Sequence, residues 1–505
     1  MSSPPNDFSM FHVKHSVRYH QDAAALFQHL AAPHDSVLLE SADIESKKNT
    51  KCLAVLKAAA RITCHGQKVK VIPLTEAGEQ IVSRLKQNLA DYFDGQDFVF
   101  TASQAIDERE RLKAPSNALV LRDLQLNAGY QGTHLPLLAG GFAFDYLETF
   151  ETLPPVELGA NTYPDYEFVL AETVLVIDHT AGTAEIETIG GDVDTLLQAI
   201  EDFEAPAQQP APESGELIVQ ATTTDADFRD QVKRLQGNIY EGDIYQVVPA
   251  RSFIAECPDA YQAYRQLRAT NPSPYMFYVR GKDYELFGAS PESNLKYSSA
   301  DREVQLYPIA GTRPRGLNAD GTINHELDIR AELDMRTDTK EVAEHTMLVD
   351  LARNDLARVA VPATRKVADL LQVDRYSRVM HLVSRVTATL APEFDALDAY
   401  RACMNMGTLT GAPKLRAMEL LRGVEHVRRG SYGGAVGYLS GDGSMDNCIV
   451  IRSAFVAGGR AVVQAGAGVV RDSQPQSEAD ETLHKAYAVL HAIALAAGKT
   501  VKVIR

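Results

Sequence analysis

The chain has 505 residues, 45% of them hydrophobic and 23% charged, a formal charge of −17 and a pI near 5.3. This is the balance of a globular protein with a large core and room for about two to four domains. The acidic excess excludes nucleic acid and anionic lipid as general partners, and no run approaches the ~18 apolar residues of a membrane span.

The opening stretch, MSSPPNDFSMFHVKHSVRYH, is polar and has no apolar h-region, so no secretory leader is expected. Cys52, Cys64, Cys257, Cys403 and Cys448 are scattered and form no C-x-x-C pair, which points to a reduced, cytoplasmic setting rather than to zinc or disulfides. Tryptophan is absent altogether. Residues 170–179 (LAETVLVIDH) and 183–191 (TAEIETIGG) predict two strands joined by a short turn. The Pro/Ala-rich stretch 204–216, EAPAQQPAPESGE, predicts a linker or exposed loop dividing an N-terminal region, 1–203, from a C-terminal region, 217–505.

Beyond it, Phe228, Val232, Leu235 and Ile239 share one helical face. Val- and Ile-rich runs predict strands at 243–254, 284–290, 303–311, 433–440, 446–456 and 460–470. The last leads through a polar loop into a helix beginning near Ser477, a plausible N-cap. The expected fold class is α+β, with large, mainly antiparallel sheets forming a sandwich flanked by helices.

Two stretches share one arrangement, Glu341-x-x-Glu344 and Glu478-x-x-Glu481. Residues three apart share a helix face, so each pair projects two carboxylates in one direction. Converging helices would offer hard oxygen ligands suited to Mg²⁺; a lone pair more commonly decorates a solvated face. Gly466-Ala467-Gly468 ends a strand where backbone N–H groups could hold an anion, although a tight turn is the commoner use. Lys414 and Arg416, after Pro413, read more safely as structural or surface charges, and a lone His381 in an apolar surround as a core residue. No Gly-x-Ser-x-Gly elbow or glycine-framed cysteine points to a nucleophile.

Taken together, GDIYQVVPAR, LFGASPES, YPIAGTRPRG, EHTMLVDLARNDLARV, TGAPKLRAM, RGSYGGAVGY, CIVIRSA, QAGAGVV and QSEADET resemble the chorismate-utilising enzymes, in the family's order from about residue 228 to 490. The resemblance extends to LLESADIESK (38–47) and GGFAFDYLETFE (140–151). Within the family, three features resemble its anthranilate synthases. Gln246 stands where the water-using members carry a lysine. Ala310, in Pro308-Ile-Ala310-Gly311-Thr312, replaces the lysine typical of aminodeoxychorismate synthases. Leu38-Leu-Glu40-Ser41 and Asn271-Pro-Ser-Pro274-Tyr275-Met276 resemble a tryptophan feedback site.

The resemblance implies Mg²⁺ on Glu344 and Glu481, with Glu341 and Glu478 in a second layer. It implies substrate contacts from Gly311, Thr312, Tyr432, Arg452, Gly466, Ala467, Gly468 and Lys485. Glu292 would serve as general acid, His381 as base and Thr312 as an orienting group. Tryptophan would bind near Glu40, Ser41, Pro274, Tyr275, Met276 and Cys448. The reaction implied is chorismate plus ammonia to anthranilate and pyruvate. A separate glutamine amidotransferase subunit would supply the ammonia, since the cysteines lack a glutaminase setting. Aminodeoxychorismate synthesis and a catalytically dead tryptophan-binding regulator are the rival readings.

Overall fold

Residues 12–43, 46, 48–191, 193–206, 215–318, 322–376 and 379–505 are described by a computed structural model. Residues 207–214 of the expected linker, and residues 1–11, therefore lie outside the described residues.

The β-branched runs become strands that join in a 22-stranded hydrogen-bonded sheet system. Its ladders are antiparallel except where Thr500–Ile504 runs parallel to Glu216–Ala221. Both sides of the 204–216 break contribute to the same ladders. Ser36–Ala42 lies between Asn49–His65 and Tyr275–Arg280, and Leu137–Phe142 lies between Tyr166–Asp178 and Ala435–Ser440. At the second seam Gly140 faces Gly437. Across this seam a Cβ at Gly434 would stand 2.0 Å from the Phe142 carbonyl oxygen and one at Gly141 2.5 Å from that of Ala435, so glycine here lets the two backbones close.

Two large apolar cores fill the space between sheets and helices. One stacks Phe142, Tyr146, Tyr166, Phe168 and Tyr400; the other gathers Phe27, Tyr261, Tyr264, Tyr278, Phe253 and Phe287 beneath Pro475–Ala496. The Tyr166–Asp178 and Thr183–Thr188 hairpin and the Asp225–Tyr240 helix match expectation. Three expected strands are each broken in two, at 248–249, 307–308 and 450–452. Pro249 and Pro308 cannot donate to a ladder, and Arg452 turns into the left-handed region at φ +50°. One helix start is corrected: Pro475 opens the C-terminal helix, Gln474 is the N-cap and makes no side-chain cap, and Ser477 lies inside. Proline at the first helical position needs no N–H there, which moves the start two residues upstream.

Candidate active site

The strand breaks bring the site together. Ile309–Pro314 pairs with Val379–Thr389, placing Thr312 opposite His381, and a bulge at Gly311 interrupts the ladder. Gly311 has φ +77°, and a Cβ there would meet Glu341 Oε2 at 3.2 Å. The bulge thus lets the first E-x-x-E helix, Thr339–Ala357, approach the strand.

His381 Nδ1 lies 3.1 Å from the Gly311 carbonyl oxygen and 3.0 Å from Thr312 Oγ1. A carbonyl only accepts, so Nδ1 carries the proton and Nε2 is the basic nitrogen. Burial lowers the imidazole to about 4; the Gly311 bond opposes that shift, and the Arg452 and Lys485 charges add to it. His381 is neutral at neutral pH. Tyr376 packs edge-on against its ring, with centroids 5.2 Å apart, and its hydroxyl donates to the Pro291 carbonyl at 3.3 Å.

Glu292, next to Pro291, is buried, and burial pushes its carboxyl up to about 8 even though Thr408 and the Lys485 charge pull it down. Thr408 Oγ1 donates to Glu292 Oε1 at 3.0 Å. The site therefore pairs a protonated acid with a neutral base, an environment-driven separation typical of acid–base centres.

The two E-x-x-E pairs come within electrostatic reach of one another. Burial raises Glu344, Lys340 opposes this, and Glu341, Glu478 and Glu481 raise it further. Glu478 is raised by burial and by Glu481, with Ser473 bonding against the shift. Glu341 is held by Arg313, which also clasps Asp334 and Asp338, while Lys485 pairs with Glu481 at 2.6 Å. Among the described residues, no three acidic, histidine or cysteine side chains form a ready cluster for a metal. The oxygen donors are of the kind that Mg²⁺ takes one or two at a time, with water and substrate completing the shell, although Arg313, Lys340 and Lys485 offset the charge of Glu341, Glu344 and Glu481.

Facing them, Arg452 donates to the Lys485 carbonyl at 2.7 Å and has no carboxylate partner among the described residues. Lys485 Nζ donates to the Gly466 carbonyl at 3.0 Å, and Tyr432 is buried beside the same glycine. The glycine loop offers less than its sequence promised. Gly466 is paired in the ladder with Ala250, and the Ala467 N–H is spent on the Pro249 carbonyl at 3.1 Å. A Cβ at Gly468 would come within 2.9 Å of Gln246 Nε2, and Gln246 Oε1 is buried without a partner. Lys414 is buried on Asp355 at 2.5 Å and Arg416 is on the surface with Asp243, so neither enters the site.

The residues of the expected feedback site also meet, in two roles. Met276 pairs with Glu40 across one ladder, and Cys448 pairs with Ser293 across another. Glu40 is fully engaged, accepting from Tyr264 at 2.6 Å and from Arg268 at 2.9 and 3.0 Å. Ser41 Oγ lies 2.6 Å from Thr50 Oγ1. Tyr275 donates to Asp446 at 3.1 Å and also lies against the Ser293 hydroxyl, while Asn447 Nδ2, on the residue after Asp446, is buried without a partner. Pro274 is half-buried beside it.

Thr408, Tyr376 and Asp446 had no sequence signal: a lone threonine, tyrosine or aspartate acquires meaning only from what folding sets against it.

A model of the chorismate binding enzyme family matches residues 72–491. The chain is 49% identical over 500 residues to anthranilate synthase component 1 of Vibrio parahaemolyticus, spanning 95% of this chain and 92% of the relative. It is 46% identical to the Escherichia coli protein of that name, covering 95% and 96%. Among solved structures it resembles anthranilate synthase component I of Streptococcus pneumoniae, with a TM-score of 0.69 and 28% identity over 87% of this chain and 92% of that one. The isochorismate synthase MenF of Escherichia coli, 18% identical with a TM-score of 0.65 over 95% and 94%, shares the fold. With that match over most of its length, the chain belongs to the chorismate binding enzyme family.

Proposed function

We propose that this protein is the chorismate-using subunit of an anthranilate synthase, the first enzyme of tryptophan biosynthesis. The observation that carries the reading is the pair Glu292 and His381, an acid and a base held protonated and neutral by burial, with Tyr376 between them and the charge of Lys485 acting on both.

Arg452 and Lys485 bind carboxylate oxygens of chorismate, and Tyr432 contributes its hydroxyl. Glu344 and Glu481 would hold Mg²⁺, with Glu341 and Glu478 in support; the ion supplies charge neutralisation for the ring carboxylate. Ammonia forms the new C–N bond at C2 as the C4–O bond breaks, and Glu292 donates the proton that lets hydroxide leave as water. Thr408 keeps the acid aimed. His381 Nε2 then removes the C2 proton, the C3–O bond breaks and the ring becomes aromatic, and the departing enolate of pyruvate takes a proton at its methylene carbon, from the His381 imidazolium or from water, to become pyruvate. Thr312 and the Gly311 carbonyl hold the imidazole in the tautomer this step requires. Buried Gln246 Oε1 is an acceptor suited to ammonia and cannot activate water as a lysine could.

A separate glutamine amidotransferase subunit delivers the ammonia, and the complex is cytoplasmic. Tryptophan binds beside Ser41, Pro274, Tyr275, Met276 and Cys448, where the unpartnered Asn447 Nδ2 next to Asp446 favours a polar ligand. Glu40 serves there as a fixed strut.

The test follows product fluorescence from chorismate, Mg²⁺ and an ammonium salt, with and without tryptophan; the chain contains no tryptophan of its own. Equal anthranilate and pyruvate, suppressed by tryptophan, are expected. Chorismate consumed without pyruvate would indicate aminodeoxychorismate synthesis instead, and no consumption with any nitrogen source would sink the enzyme reading. Ser41→Phe is expected to keep turnover and lose inhibition, as read from inhibition curves in the same assay.

A further inference from the structure

A second place in the fold holds a buried cation that, among the described residues, touches no carboxylate. Six arginines are buried among the described residues: Arg61, Arg251, Arg265, Arg401, Arg422 and Arg429. Five sit on a carboxylate, namely Asp35, Asp225, Asp22, Asp145 and Glu425 in turn. Arg401 does not. It is 5% exposed, its Nε has no acceptor, and its remaining contacts are the Leu112 carbonyl at 3.3 Å and the face of Phe150 at 4.8 Å. Asp398, one helical turn back, acts on Arg401 only at longer range and gives its hydrogen bond to Arg122 at 2.8 Å. A buried cation without a counter-ion is costly, so a partner from outside the chain is favoured.

Arg401 lines a partly enclosed cavity of about 40 Å³ between the Glu108–Lys113 helix, the 147–151 segment and the helices Ala396–Cys403 and Lys414–Glu425. A water needs about 10–15 Å³ by this measure, so the space suits about three waters or one small anion. Its other cations are already engaged. Arg111 pairs with Glu151 at 3.2 Å, Arg358 with Glu108 at 2.9 Å, and Lys414 with Asp355 at 2.5 Å. Beyond those ion pairs, one positive charge remains beside the apolar part of the wall, formed by Leu112, Leu147, Phe150, Met404 and Met418.

We infer that this cavity is a binding site for one small monocarboxylate, whose carboxylate meets Arg401 and whose short apolar end lies against the leucine, methionine and phenylalanine wall. The apolar wall selects a carboxylate with a short tail over a fully hydrated inorganic oxyanion. The site lies outside the candidate active site and does not depend on the proposed reaction. Its walls come from both sides of the 204–216 break, so the ligand acts as a tie between them. Arg358, at the rim, also ends the helix that carries Glu341 and Glu344.

The test is thermal unfolding of the intact chain in sodium propionate, sodium phosphate and sodium chloride at matched ionic strength. Propionate is expected to raise the midpoint saturably, by about 1–3 °C over chloride. Arg401→Met, which keeps the apolar stem and removes the charge, is expected to abolish that rise. Should Arg401→Met not fold, saturation transfer from the wild-type protein to the propionate methyl group, weakened in Leu112→Phe, which fills the apolar end of the cavity, reads the same site. A propionate response no different from chloride, or one that survives in Arg401→Met, would overturn the site. A response to phosphate and none to propionate would overturn the carboxylate assignment.

Discussion

Glu292 and His381 are ordinary residues made useful by what surrounds them. Burial moves the carboxyl up to about 8 and the imidazole down to about 4, so both are in working form between those values. The proposed reaction should therefore have a flat rate from about pH 4 to 8, falling on the acid side as His381 protonates and on the alkaline side as Glu292 ionises. Glu292→Gln is expected to lower kcat by about 10²–10⁴ and to remove the alkaline limb, measured as a pH–rate profile. The same substitution should stabilise the fold. The folded carboxyl holds its proton to higher pH than the unfolded one, so wild-type stability falls as pH rises between the two values, at most by about 1.4 kcal/mol per unit. A glutamine has nothing to lose there, and denaturant midpoints for variant and wild type should diverge from pH 5 to 8. An inactive variant that is no more stable than wild type at pH 8 would contradict this account of the burial. The sequence carries neither shift. Glu292 and His381 entered as candidates through resemblance, and only the packing explains why one holds a proton and the other does not.

At the scale of elements, the strands were legible and their interruptions were not. Continuous apolar runs at 243–254, 303–311 and 446–456 read as single strands, yet each breaks within a few residues of an expected site residue: Gln246, Gly311 with Thr312, and Arg452. Two breaks carried a proline that could have announced them; the third rests on a left-handed arginine, and no sequence rule marks that. Both glutamate pairs read correctly as helix faces, but what fixes the second helix is an arginine far away in sequence. Arg251, buried on Ala250–Glu256, donates to Thr482 Oγ1 and to the Ala479 carbonyl, both at 2.9 Å, and pairs with Asp225 at 2.8 Å. It grips the helix at Ala479 and Thr482, one residue after each of Glu478 and Glu481. Arg251→Met is expected to raise the Mg²⁺ concentration for half-maximal activity about 10-fold or more while leaving the rate at saturating Mg²⁺ within a few-fold, because residues that orient a metal ligand typically govern affinity. An Mg²⁺ titration of activity checks it. An unchanged half-saturation point would show that the helix needs no such anchor.

At the scale of the molecule, the expected division at 204–216 marks a change in composition and not a boundary between sheets. Ser36–Ala42 supplies one neighbour of Tyr275–Arg280, and Leu137–Phe142 supplies one neighbour of Ala435–Ser440. Without residues 1–206, those two strands become open edges, and the faces of Phe277, Val436 and Tyr400 lose their cover. A Cβ at Gly141 would stand 2.5 Å from the Ala435 carbonyl oxygen and one at Gly434 2.0 Å from that of Phe142, so this seam cannot be replaced by looser docking of two finished domains. A protease site inserted between residues 207 and 214 should therefore, once cut, leave both fragments in one particle on size exclusion, with a melting transition close to that of the uncut chain. Residues 215–505 produced alone should be insoluble or lack a cooperative transition, and mixing the separately refolded fragments should restore far less than co-refolding does. If 215–505 folds alone and melts cooperatively, the shared ladders are a contact between independent units, and the break at 204–216 is a domain boundary after all.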